Sequence, residues 1–118
     1  MRDHTKLVVW RRAQDFAAEV FRVTADLPGR AYPNLLPQLH TSAASIGSNI
    51  AEGAGQPSRA QYARYLGIAL GSAQETRSHL YLACRVGMIS VEDHDRLERE
   101  LREIRAMLYA LRQRVLQG

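Results

Sequence analysis

Cysteine and lysine are almost missing from this chain: Cys84 and Lys6 are the only ones among 118 residues. One cysteine rules out an internal disulfide and offers no pair at zinc-ligand spacing, which agrees with a reducing compartment. Cys84 falls in an apolar helical stripe away from any base, so it reads as a core thiol rather than a nucleophile. Long apolar runs are also absent. Nothing approaches the roughly 20 apolar residues of a membrane span. The longest early run, Leu7 to Trp10, is too short for a secretory leader, so a cytoplasmic protein with no membrane partner is expected. No segment alternates with period two for long enough to make a strand, which leaves the all-α class.

Catalytic signatures are missing as well. No serine sits in a nucleophile-elbow setting, and the GAG at 53–55 follows a helical pattern instead of leading into one. His4, His40, His79 and His94 are far apart, without metal-ligand spacing, and most are expected at the surface. No enzymatic activity, no cofactor and no metal are expected.

What is present suits one globular domain spanning residues 1–118, with 46% hydrophobic and 24% charged residues. The net charge of +4 is carried almost entirely by arginine and permits an anionic partner such as nucleic acid.

Turn signals at Pro28-Gly29-Arg30 with Tyr32-Pro33-Asn34, at Gly53 to Pro57, and at Val86 to Ser90 divide the chain into four segments. The first, about 6–27, places Val9, Ala13, Phe16, Val20 and Leu27 at helical spacing. Trp10, Ala17, Phe21 and Thr24 widen that face beyond what one bundle needs, so part of it is expected to meet another subunit. The second, about 35–52, carries Leu36, Leu39, Ala43, Ile46 and Ile50 behind Asn34 as N-cap. The third opens with the Ser58–Gln61 capping box and repeats Tyr62, Leu66, Ala69, Ala73, Thr76, Leu80 and Ala83 until Gly87 stops it. The fourth opens with Ser90 and Asp93 and continues Leu97, Leu101, Ile104, Leu108, Leu111 and Val115. Four such stripes joined by short connections predict an antiparallel up-down four-helix bundle.

Two polar rows run beside the apolar stripes. Ser42, Ser45, Asn49 and Glu52 follow one another on the second segment, and Ser72, Glu75 and His79 on the third. With Gly47, Gly67 and Gly71 nearby, they suggest two closely packed helices with a structural polar layer of Ser45, Asn49, Glu52, Ser72 and Glu75. Its carboxylates are expected to pair with arginine, Arg77 and Arg85 being at hand. Glu52, Glu75 and His79 also raise the idea of a metal site. Di-iron bundles, however, need Glu-x-x-His on two helices, and Glu75 and His79 are one residue too far apart.

On the fourth segment Arg102, Arg105, Tyr109 and Arg112 recur at 3, 4 and 3, with no acid after Glu103. Guanidiniums beside an exposed ring suit phosphates and a stacked base. A subunit interface and a plain solvated face remain alternative readings of the same stripe. Arg11, Arg12, Arg59 and Arg64 are candidates to extend it.

The stretches LVVWRRAQDFA, SIGSNIAEGAG and PSRAQYARYLGIALGSAQE resemble the four-helix-bundle proteins encoded in intervening sequences of bacterial large-subunit rRNA genes. They are also similar to the accessory variability proteins of diversity-generating retroelements. The resemblance covers nearly the whole chain. It implies an up-down bundle that assembles as a homo-oligomer, a ring of five in characterised relatives. The retroelement proteins are basic, bind nucleic acid and engage a reverse transcriptase, so the resemblance implies RNA or DNA and such an enzyme as partners. Against the usual pattern, Gln56 replaces a common arginine and His40-Thr41 an often basic pair, which thins the positive surface near the second turn.

Overall fold

The computed structural model of the chain describes residues 2–28 and 31–118; Gly29 and Arg30, assigned above to the first turn, lie outside it. Four helices, α1 (Val8–Val23), α2 (Leu35–Ala54), α3 (Arg59–Arg85) and α4 (Val91–Gln117), follow a short 3-10 turn at His4–Lys6. Each packs against its neighbours in chain order and α1 closes against α4, giving an up-down bundle of 45 × 23 × 20 Å with no strand among the described residues. The apolar stripes meet on its axis, where Phe16, Leu39, Ile46, Leu66, Leu101 and Ile104 are at most 1% exposed.

α1 is shorter than the expected 6–27. Asp3 accepts from the Thr5 amide and hydroxyl, drawing 4–6 into the 3-10 turn, and Leu7 is extended. At the other end the Thr24 hydroxyl lies 2.8 Å from the Val20 carbonyl and the chain leaves the helix. Phe16 enters the core and Trp10 is half-buried edge-on to His4, but Phe21 is 46% exposed. His40 stacks on Phe21 at 4.1 Å and its Nε2 lies 2.8 Å from Thr24 Oγ1. All four histidines are partly exposed and lie at the surface of the bundle.

Gly55 is the C-cap of α2, and Gly53 is its penultimate helical residue. It is buried inside the helix, and a Cβ there would stand 2.8 Å from Tyr65 Cβ and 3.2 Å from Tyr62 Cδ1, so its missing side chain is what lets α2 and α3 approach. Asn34 occupies the N-cap of α2 without a side-chain bond. The other two helix starts follow expectation: Ser58 accepts from the Gln61 amide at 3.1 Å and Ser90 from the Asp93 amide at 3.0 Å. α3 stops in a Schellman motif, with Gly87 at φ +78 and the Met88 amide bonded to the Ala83 carbonyl at 2.8 Å.

Ion pairs close the α1–α4 seam. Arg12 reaches Glu100 at 2.6 Å and Glu103 at 3.3 Å, and Arg96 joins Glu19 at 2.9 Å to Asp93 at 2.8 Å. The bond to Glu100 holds the Arg12 guanidinium above its ordinary range, and Arg22 with Arg96 holds the Glu19 carboxyl below its own.

Candidate nucleic-acid interface

The polar rows meet along the α2–α3 border, though not with every expected member. Ser45 Oγ donates to Ser72 Oγ at 2.7 Å. Thr76, assigned to the apolar stripe by its spacing, is fully buried; its hydroxyl lies 2.7 Å from the Ser72 carbonyl and 3.0 Å from Ser42 Oγ. Asn49 turns back to the Ser45 carbonyl at 2.8 Å. No buried side-chain nitrogen or oxygen among the described residues lacks a partner. Glu52 and Glu75 stand outside this layer: both are exposed and neither carboxylate is bonded among the described residues. The arginine expected for them is engaged elsewhere, Arg77 Nε donating to Glu98 at 2.8 Å. Glu75 and His79 share a shallow cleft with Pro37, Gln38 and Thr41, and no cluster of three metal-ligating side chains forms among the described residues.

The arginine row of α4 borders α3. Arg112 Nε donates to the Ala63 carbonyl at 3.1 Å, and Glu98, on the same row, takes Arg77 of α3. Both links share one antiparallel register, since fourteen residues separate Ala63 from Arg77 and fourteen separate Glu98 from Arg112. Gly67 and Gly71 therefore lie level with the stretch from Ile104 to Tyr109. A Cβ on Gly67 would meet Arg112 Nε at 3.4 Å, an ordinary contact, while one on Gly71 would meet nothing within 4 Å. Neither glycine serves the α2–α3 packing expected of it; Gly53 does.

Along this border Tyr109 is 60% exposed, Arg105 is half-buried without an acidic partner among the described residues, and Arg102 has only Glu98 at 4.0 Å. More arginines gather where α2 ends, α3 begins and α4 ends. Arg2 lies 4.5 Å from the Tyr62 ring centroid and donates to the Gln56 carbonyl at 2.8 Å. Burial holds the Tyr62 hydroxyl above its ordinary range, while Arg2 and Arg114 pull it the other way. Arg64 lies 5.7 Å from the Tyr65 ring centroid. Arg12, by contrast, is committed to the α1–α4 seam, away from this face.

Sequence reading missed Arg2 and Arg114. The available signal was an absence: no Asp or Glu occurs between Gly53 and Gln74, and none after Glu103. Those two stretches pack together, so this part of the α3–α4 face carries guanidiniums without local carboxylates. It can hold phosphates by charge-assisted hydrogen bonds and offer an aromatic face to a base.

A family model described as 23S rRNA-intervening sequence protein matches residues 5–110. A crystal structure of a protein with unknown function from the S23 ribosomal protein family of Bacteroides thetaiotaomicron VPI-5482 is similar to the chain, with a TM-score of 0.81 and 29% identity. The match covers 88% of this chain and 97% of that one. No curated protein matches.

Proposed function

The chain belongs to the 23S rRNA-intervening sequence protein family, and on that premise we propose that it is a noncatalytic cytoplasmic protein that binds nucleic acid through the arginines of α3 and α4. The observation that carries this reading is the carboxylate-free junction of the α3 start with the α4 end, where Arg59, Arg64, Arg105, Arg112 and Arg114 collect. A positive potential left unneutralised by neighbours attracts phosphate and makes affinity fall steeply with salt. Copies of the chain associate, as a pentamer by the resemblance noted above, and repeat the face around the assembly. In that form it serves as an adaptor that presents RNA or DNA to an enzyme such as a reverse transcriptase. A second reading, a module that only binds protein, draws on the exposed Tyr81, Leu82, Val86 and Val91 at the opposite end of the bundle.

Size-exclusion chromatography with light scattering, at 260 and 280 nm on protein purified without nuclease, tests the whole reading. A multimer with excess 260 nm absorbance that is lost in high salt is expected. Arg105→Ala with Arg114→Ala lowers RNA affinity and flattens its salt dependence by about 0.7 to 0.9 per phosphate contact removed. A monomer with a clean protein spectrum and no salt-dependent binding overturns it.

A further inference from the structure

The outer side of α2 carries no charge before Glu52. Between Arg30 and Glu52 the chain has no Asp, Glu, Lys or Arg, although 24% of the whole is charged. Thr41, Ala44 and Ser48 are nonetheless exposed. A helix side left to water normally carries charged and polar residues, whereas the core of a protein interface is depleted of charge. Beside this row Phe21 is 46% exposed and, with His40, Thr41, Ala44, Ser45 and Ser48, lines an open hollow of about 450 Å³. On the side toward α3, the exposed carboxylate of Glu75 shares a second cleft with Thr41.

A surface that matches this one lies on the opposite side of the bundle. Among the described residues α4 packs on α1 and α3 but not on α2, and its outer row exposes Arg99, Arg102 and Ala106. The Ser45–Ser72 and Arg77–Glu98 links fix the heights: Ser72 lies five residues before Arg77 and Glu103 five after Glu98, so Ser45 and Glu103 are level. Since α2 and α4 run in the same direction, Thr41 is level with Arg99, Ala44 with Arg102 and Ser48 with Ala106. We infer that a second copy of the chain docks here, the Arg99–Arg102–Ala106 row of one copy lying along the Thr41–Ala44–Ser48 row of the next. Charge selects this occupant. The guanidiniums bring the cation that Glu75 lacks, their stems cover the small side chains of α2, and Phe21 offers them a ring face. Pairing the α2 row with itself would instead leave two Glu75 carboxylates unanswered. Because the rows are level, the contact needs no shift along the bundle axis, so its head-to-tail repetition closes into a ring and does not climb into a filament. One side of a bundle of 45 × 23 × 20 Å can supply the roughly 800 Å² per partner of a standard interface. The inference rests on the association in the reading above and adds its two faces, leaving Arg105, Arg112 and Arg114 to nucleic acid.

Light scattering on wild type and charge variants tests the contact, with far-ultraviolet circular dichroism to verify that each variant keeps its helices. Wild type is expected as a multimer. Ala44→Arg sets a cation opposite Arg102 of the neighbouring copy and should bring the mass down to the 13.3 kDa of a single chain. Ser48→Arg, one turn along the same exposed row, should do the same. Adding Arg102→Glu to Ala44→Arg should restore the multimer, because the level pair is then opposite in charge. If Ala44→Arg and Ser48→Arg both keep the wild-type mass, the docking face is refuted, and salt-dependent RNA binding still upholds the nucleic-acid reading. If Ala44→Arg dissociates the multimer and Arg102→Glu does not rescue it, some other surface covers α2 and the match with α4 is refuted. If wild type is itself a single chain, the inference falls with the association it rests on, while salt-dependent binding of RNA by that single chain would keep the basic face.

Discussion

Replacing Gly53 and, separately, Gly71 by alanine makes one chemical change in two helices with opposite expected signs. Alanine in a helix interior gains about 0.5–1 kcal/mol over glycine, chiefly through the entropy of the unfolded chain. At Gly71 the new methyl meets nothing within 4 Å, so the whole gain is kept. At Gly53 it stands 2.8 Å from Tyr65 Cβ and 3.3 Å from the Tyr62 carbonyl oxygen. Both atoms are fixed to the α3 backbone and cannot swing aside, so α2 and α3 must separate. Overpacking of this kind costs about 1–3 kcal/mol, leaving Gly53→Ala less stable than wild type by up to about 2.5 kcal/mol once the helix gain is subtracted. Urea unfolding followed by far-ultraviolet circular dichroism reads both shifts, at one fixed protein concentration because association adds to apparent stability. The two midpoints should move in opposite directions. Shifts of the same sign would refute the claim that Gly53, and not Gly71, sets the α2–α3 distance.

Other substitutions probe the remaining features. Thr76→Val keeps the side-chain shape in a fully buried site but removes the hydroxyl shared with Ser42 and Ser72; a loss of about 1 kcal/mol is expected in urea unfolding, and wild-type stability would show the layer to be energetically idle. Glu52→Ala removes an exposed, unbonded carboxylate and should change stability by less than about 0.5 kcal/mol; a larger loss by calorimetry would mean the carboxylate has a partner in solution. Burial holds the His40 imidazole below its ordinary value of 6.5, so the folded chain prefers it neutral while the unfolded chain takes up a proton near that pH. Its stabilisation is therefore complete above about pH 6.5 and is lost as the pH falls toward the folded value. His40→Gln should flatten the melting profile between pH 7 and 5, and parallel profiles for the two proteins would refute the assignment.

Helical periodicity marked the axis-facing residues of all four helices, because a 3.6-residue repeat reports which side of a helix avoids water. It did not report depth. Thr76 shares the spacing of Leu80 and Ala83, so its role as a hydrogen-bonded core residue appeared only once α2 was seen opposite it. Glu52 and Glu75 continue the serine rows in sequence, but long carboxylate side chains at those turns reach water, while the short serines remain in the border. Glycine was the hardest residue to read. A helix interior and a helix end both accept it, and only the neighbour's atoms distinguish Gly53, pressed against α3, from Gly55, which caps α2, and Gly71, pressed against nothing.

The location of the basic face follows from where the carboxylates are used. α4 carries six of them, all before Ile104. Glu100 and Glu103 hold Arg12, Asp93 shares Arg96 with Glu19, and Glu98 holds Arg77, so the first half of α4 is neutralised while it is fastened to α1 and α3. The second half needs no such fastening, because Leu108, Leu111 and Val115 bury it by packing and Arg112 bonds a backbone carbonyl. Its arginines, and those at the start of α3, keep their charge uncompensated at one end of a bundle 45 Å long. At physiological salt the screening length is about 8 Å, so carboxylates at the far end do not cancel them. A net charge of only +4 is thereby concentrated at the end of the bundle where α3 begins and α4 ends, and this segregation is what the proposed anion binding rests on.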